Sequence, residues 1–159
     1  MKETLLSNLT VRALDHADLP AIAAILDATG LFPSDMLADM AAPYLARQAP
    51  HHWLVIAEGD AVRGFAYAEP ERMTEGTVNL LAIAVDPRRQ NRGIGKALVA
   101  ALIERLKGQG NRVLIVETSS LDDYAGTRAF YAGQDFAQEA RIRDFYQAGE
   151  DKIVFWKQL

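Results

Sequence analysis

The chain contains no cysteine. That excludes disulfides, thiolate metal centres and a cysteine nucleophile together. Histidine is scarce: only His16, His51 and His52 are present. Adjacent residues on a strand point to opposite faces, so His51 and His52 make a poor ligand pair, and no metal is expected. No apolar run approaches the ~20 residues needed to cross a bilayer, so no membrane partner is expected. Met1-Lys2-Glu3-Thr4 lacks the apolar core of a secretory signal, and the expected location is cytoplasmic. Excess positive charge is missing too: the net charge of −4 argues against general nucleic-acid binding.

The 159 residues are half hydrophobic, enough to bury the core of a single domain spanning 1–159. Charge is unevenly spread. From Asp86 to Arg112 seven Lys/Arg face two Asp/Glu, a net of +5, so the remainder carries −9 of the total −4. A small basic patch on an acidic protein suits a compact polyanion.

Leu9–Leu14 alternates as a first strand. Asp18 is placed to cap a helix through about Ala28, with Ile22, Ile25 and Leu26 as its apolar stripe and Gly30 ending it. Ser34 opens a second helix, which Pro43 is expected to kink or split. Trp53–Glu58 and Val62–Ala68 form a hairpin at Gly59-Asp60. Glu69–Gly76 is a polar loop, and the largely apolar Thr77–Val85 reads as a central strand. The helix after Gly95 buries Leu98, Ala101, Leu102 and Leu106, and Gly108 or Gly110 ends it. Val113–Glu117 is a strand, Tyr124–Ala132 a short helix, and Ala137–Phe145 with Lys152–Trp156 a closing antiparallel pair. The order β-α-α-β-β-β-α-β-α-β-β gives an α/β (α+β) fold: a mixed, mostly antiparallel sheet of about seven strands with helices on both faces.

The most informative stretch runs from Val85 to Lys96. Its glycines lie at a strand-to-helix turn, where backbone N–H groups can approach a ligand closely. The first N–H groups of a helix lack intrahelical partners, and the dipole favours negative charge there. Arg88, Arg89, Arg92 and Lys96 surround the turn. This is a phosphate cradle. A P-loop NTPase is excluded, because Ala97 follows Gly95-Lys96 and Gln90 replaces the first glycine. A dinucleotide fingerprint fits poorly, with Leu98 where the third glycine belongs.

Gln90-x-x-Gly93-x-Gly95, preceded by Leu81-Ala82-Ile83-Ala84-Val85-Asp86-Pro87, resembles the pyrophosphate-binding motif of the GNAT superfamily of acyl-CoA N-acyltransferases. Arg128-Ala129-Phe130-Tyr131, closed by Phe136, resembles that superfamily's second motif. The resemblance implies the acyl-CoA N-acyltransferase fold and acetyl-CoA as co-substrate. It implies that backbone N–H groups of Gln90, Asn91, Arg92, Gly93, Ile94, Gly95 and Lys96 hold the pyrophosphate, with side-chain help from Arg88 and Arg92. The pantetheine arm would pair with the exposed edge of Ile83, Ala84 and Val85, which requires two parallel strands to splay. Tyr131 matches the family's general acid: a phenol of pKa near ~10 stays protonated at neutral pH and can donate to a departing thiolate. Glu117 is the candidate base for the acceptor ammonium, with Glu69, Glu75 and Asp144 as competitors. Asp135 stands where the family often has Gly before the closing Phe, with Gly133 the other candidate for that turn. Tyr124 stands where the family often has a cofactor-contacting Asn.

The resemblance also places the acceptor among Leu31–Pro33, Glu69–Thr77 and Asp144–Glu150, where Phe32, Tyr146 and nearby acidic residues would form an apolar, anionic pocket. Such a pocket favours a cationic amine of a small molecule or peptide. Phe155-Trp156 on the aromatic C-terminal strand is a candidate homodimer interface. The implied function is an acetyl-CoA-dependent N-acetyltransferase working by direct attack in a ternary complex, since no cysteine can carry an acyl group. The alternative is a non-catalytic acyl-CoA-binding or sensor module of the same fold.

Overall fold

A computed structural model describes residues 8–90 and 93–159. The strands are β1 (Leu9–Ala13), β2 (His52–Glu58), β3 (Ala61–Pro70), β4 (Thr77–Val85), β5 (Val113–Ser119), β6 (Ala137–Gln147) and β7 (Glu150–Gln158). The helices are α1 (Leu19–Thr29), α2 (Leu37–Leu45), α3 (Ile94–Gly108) and α4 (Ala125–Gly133). The expected element order holds throughout. The sheet order is β1-β2-β3-β4-β5-β7-β6. Among the described pairings only β4–β5 is parallel. The chain divides into two compact units, Met1–Glu69 with Ala82–Arg105, and Pro70–Leu81 with Leu106–Leu159.

In the first unit, β2 is buried without interruption from Trp53 to Ala57, which requires cover on both faces. One face joins Trp53, Val55, Phe65 and Tyr67 to Ile22, Ile25 and Leu26 of α1 and to Leu37 and Ala41 of α2. α3 carries a separate buried stripe of Ile94, Leu98, Val99 and Leu102. Asp15, not Asp18, caps the entry to α1. The Asp15 side chain accepts from the Ala17 N–H, while Asp18 accepts from the Asp15 N–H and from Arg12 at 2.7 and 2.8 Å. This is a reciprocal capping box closed by an ion pair. α2 is not split by Pro43: it continues through that residue to Leu45.

The hairpin β2–β3 contains one irregularity. Ile56 faces Gly64 and Ala57 faces Val62, so Arg63 is an extra, bulged residue. Its carbonyl accepts the Asp86 N–H at 2.7 Å. Beside it, a Cβ on Gly64 would lie 2.8 Å from the Ala84 carbonyl oxygen. Only glycine lets β3 approach the end of β4 this closely.

In the second unit, β4 and β5 pair in parallel over Thr77–Leu80 and Val113–Val116. The ladder leaves Leu81–Val85 and Glu117–Ser119 without partners in it. β5 pairs β7 along its whole length. Leu114, Val116, Ile153 and Phe155 are buried, while the alternate residues Ile115, Glu117, Lys152 and Val154 are half-buried. β6 is the sheet edge, and all eleven of its residues are exposed. Arg143–Tyr146 fall outside the β6–β7 register, and Asp144 takes a left-handed φ of 54°. The homodimer expectation is corrected for Phe155: β7 is an interior strand, and the Phe155 ring is buried against Tyr131.

Gly64→Ala should destabilise the protein by about 1–3 kcal/mol in urea unfolding, because the added methyl meets backbone rather than a movable side chain. Unchanged stability would mean that β3 and β4 separate freely at this point.

Candidate functional site

In the first unit the phosphate turn is built on a buried carboxylate. Asp86 ends β4 and opens a tight turn over Pro87–Arg89. One of its oxygens accepts from the Arg88 N–H at 3.0 Å and from Arg88 Nε at 3.2 Å; the other accepts from Arg88 Nη2 at 3.0 Å. Arg63 reaches the same carboxylate at 3.6 Å and Glu58 at 3.3 Å, and Arg89 lies 3.6 Å from Glu58. Three guanidinium groups therefore meet two carboxylates, a local excess of one positive charge. Arg88 keeps 81% of its side chain exposed despite its bond to Asp86, so an anion can still reach it.

Gln90 leaves the turn in extended conformation and is exposed. Asn91 and Arg92 lie outside the described residues. Gly93 takes φ 77°, a left-handed conformation that costs glycine little. The Ala97 N–H donates to the Gly93 carbonyl at 3.0 Å, so the N–H groups of Ile94, Gly95 and Lys96 have no helical partners. The Ile94 side chain is buried and anchors the start of α3, while Lys96 is exposed. Free amides at the positive end of a fifteen-residue helix, with Lys96 in its first turn, suit a diphosphate. The residues present fit the phosphate end of coenzyme A. Within the same unit Phe32 packs half-buried on the apolar core, and Glu69 is paired with His51 Nε2.

The second unit holds Tyr131 and Glu117. Tyr131 is only 2% exposed and sits among Phe130, Phe136 and Phe155, with ring centroids 5.2, 5.5 and 5.7 Å away. Burial raises its phenol well above the ordinary tyrosine value. Val116 faces Phe155 in the β5–β7 ladder, so Tyr131 approaches the Val116 face of the sheet. Glu117, the next residue on β5, points to the opposite face. There Lys152 Nζ forms a salt bridge with Glu117 Oε2 at 3.0 Å and lies 3.9 Å from the Phe145 ring centroid. Tyr146 stands edge-on to Phe145 at 5.1 Å. Its phenol is raised by burial and then by Glu117, Glu150 and Tyr124. Asp144 accepts from the Gly149 N–H at 2.9 Å. Among the described residues no group of three metal-ligating side chains assembles.

The acetyltransferase (GNAT) family matches residues 19–136. The chain belongs to this family. A crystal structure assigned to the GNAT family from Desulfovibrio desulfuricans is 33% identical, with a TM-score of 0.86 over 94% of this chain and 98% of that one. The ribosomal-protein-S18-alanine N-acetyltransferase from Escherichia coli is 25% identical, with a TM-score of 0.75 over 94% and 93%. yncA from Salmonella typhimurium, solved with its cofactor acetyl-CoA, is 24% identical, with a TM-score of 0.77 over 96% and 95%. No curated protein matches the chain significantly. The protein is thus a GNAT-family acetyltransferase.

Two departures from the usual GNAT pattern now have a local account. Asp135 takes the left-handed turn before Phe136, with φ 65°, and Gly133 instead ends α4. Tyr124 precedes α4, is 44% exposed and acts on the Tyr146 phenol. Around Tyr146 a cation joins the acidic residues: Lys152 forms a salt bridge with Glu117. Glu150 is also engaged, by Ser119 Oγ and Gln147 Nε2, each at 2.8 Å. Sequence reasoning missed Lys152, Phe145 and the Glu58–Arg63 brace. The signal available for Lys152 was strand alternation, which places 152, 154 and 156 on one face.

Asp86 is held below the usual carboxylate range, first by Arg88, against the opposing effect of burial. Asp18 is lowered first by Arg12, and Asp151 first by the Asp144 N–H. A carboxyl with a depressed folded pKa stabilises the fold above its unfolded value of about 3.9 and loses that contribution as pH falls through the folded value. His52 is lowered by burial and then by His51, so it also withdraws stability as pH falls, starting near its unfolded value of about 6.5. Urea unfolding should therefore show a shallow decline below about pH 6.5 and a steeper one below about pH 4. Asp86→Asn should lower stability at neutral pH and flatten the steeper stage. A stability that rises on acidification would contradict the assignment.

Proposed function

We propose that the protein transfers the acetyl group of acetyl-CoA to a primary amine of a small molecule or peptide by direct attack within a ternary complex. The observation that carries this reading is the turn into α3: a left-handed Gly93, three free amides opening α3, and exposed Arg88 and Lys96 flanking it in the sequence. The edge of Ile83–Val85, outside the parallel ladder, is where the pantetheine amides would pair. The whole span 1–159 acts as one catalytic domain in this reading; the family match runs across both units.

The thioester supplies the activated acyl carbon. Glu117 takes a proton from the acceptor ammonium, directly or through a water, using the Oε1 that Lys152 leaves open. The amine nitrogen then bonds to the acyl carbon and the C–S bond breaks. The Tyr131 hydroxyl gives its proton to the departing sulfur, and the second proton of the amine nitrogen is lost to water as the amide forms while water returns a proton to the phenolate. Burial keeps that phenol protonated throughout the working pH range, so the acid is in its donating form. With no cysteine to hold the acyl group, the amine attacks the thioester itself.

Thiol release from acetyl-CoA over a panel of amines tests the reading, and the protein adds no thiol of its own. At least one amine should accelerate release. Tyr131→Phe should lower kcat by about 10²- to 10⁴-fold and leave coenzyme A affinity nearly unchanged. If no amine accelerates release while coenzyme A still binds, the chain is a sensor. Lys96→Glu should weaken coenzyme A binding in calorimetry; equal affinity would remove Lys96 from the phosphate site.

A further inference from the structure

The Glu117–Lys152 pair has properties that a simple amine site would not need. Lys152 is only 11% exposed at its side chain, and Glu117 is 30% exposed. The ammonium is fixed twice, by Glu117 Oε2 at 3.0 Å and by the Phe145 ring face at 3.9 Å. Glu117 Oε1 has no hydrogen bond to a described residue, and Lys152 has an N–H to spare after Glu117 and Phe145. The neighbouring carboxylates are engaged elsewhere: Glu150 by Ser119 and Gln147, and Asp151 by Arg141 and the Asp144 N–H. A half-buried cation and anion thus stand side by side, each with one open valence, next to the exposed rings of Phe145 and Tyr146.

Resting on the acetyl-transfer reading above, we propose that the acceptor is a zwitterionic α-amino acid with an apolar side chain. Glu117 receives its ammonium and Lys152 its carboxylate. An α-amino acid presents a cation and an anion across a single carbon, which is the complement of this pair. Four charges then alternate in sign, and none is left uncompensated in a partly desolvated site. The rings of Phe145 and Tyr146 take the apolar side chain. A polyamine, or any amine without a carboxylate, shares Glu117 with Lys152 and leaves the site one positive charge in excess. A peptide N-terminus has an amide where the carboxylate would be.

Calorimetric titration of the full chain, with coenzyme A present, tests this. The ligands are L-phenylalanine and L-leucine, their methyl esters, and the dipeptides that each forms with glycine at its C-terminal side. The free amino acids should bind at least about tenfold more tightly than the esters and dipeptides, the loss expected for one charge-assisted hydrogen bond. Lys152→Met should erase that difference, and Lys152→Arg should restore part of it. Unchanged coenzyme A affinity in both variants shows that they are folded; if Lys152→Met does not fold, Lys152→Gln replaces it. Equal binding of acid and ester overturns the proposal. So does a difference that survives in Lys152→Met, or no binding of either amino acid. Thiol release that no amine accelerates would sink the acetyl-transfer reading alone, because the titration reads binding and not turnover.

Discussion

Asp86 sits where β4 ends, and its two oxygens are shared among the Arg88 backbone, the Arg88 guanidinium and Arg63. Much of the first unit is arranged around that one carboxylate. The bulge in β3 exists at Arg63, and it turns both the Arg63 carbonyl and its guanidinium toward Asp86. Gly64 follows because the strand must then run almost against the Ala84 carbonyl. Gln90 leaves that turn in extended conformation, and Gly93, in the left-handed region, precedes the open amides of α3. A buried anion braced by arginine thus stands at the foot of the proposed phosphate site. The brace leaves one positive charge in excess, so the loop does not satisfy itself.

The second unit divides its work between the two faces of β5. Val116 and Glu117 are consecutive, so alternation alone sends one to the aromatic cluster of Tyr131 and the other to Lys152 and Tyr146. The two environments differ in polarity. Tyr131 is enclosed by rings, and desolvation stabilises its neutral form. Glu117 is half-open and charge-paired, which suits a carboxylate that must meet a cation.

Local order in the chain was readable where local chemistry decides it. Thr77–Val85 follows from an unbroken apolar run, Gly30 from its left-handed role at a helix end, and Asp135 from tolerance of that same conformation. The glycine-led turn into α3 was readable because Gly93 and the first helical residues lie within one short segment. What escaped depends on partners distant in sequence. Lys152 meets Glu117 only through the register of β5 on β7, and Arg63 meets Asp86 only through a bulge. The capping of α1 shifted to Asp15 because Arg12, from β1, captured Asp18. A strand's interior or edge position is likewise non-local, and this is why Phe155 read as surface although it is core.

The edge strand β6 has a further consequence. A long, straight, uncovered strand offers a template on which another polypeptide can crystallise into a growing fibril. Here Asp144 twists the backbone into the left-handed region midway, and Arg141, Arg143 and Asp144 interrupt the apolar residues. The irregularity in the strand that carries Phe145 over Lys152 therefore also spoils the template.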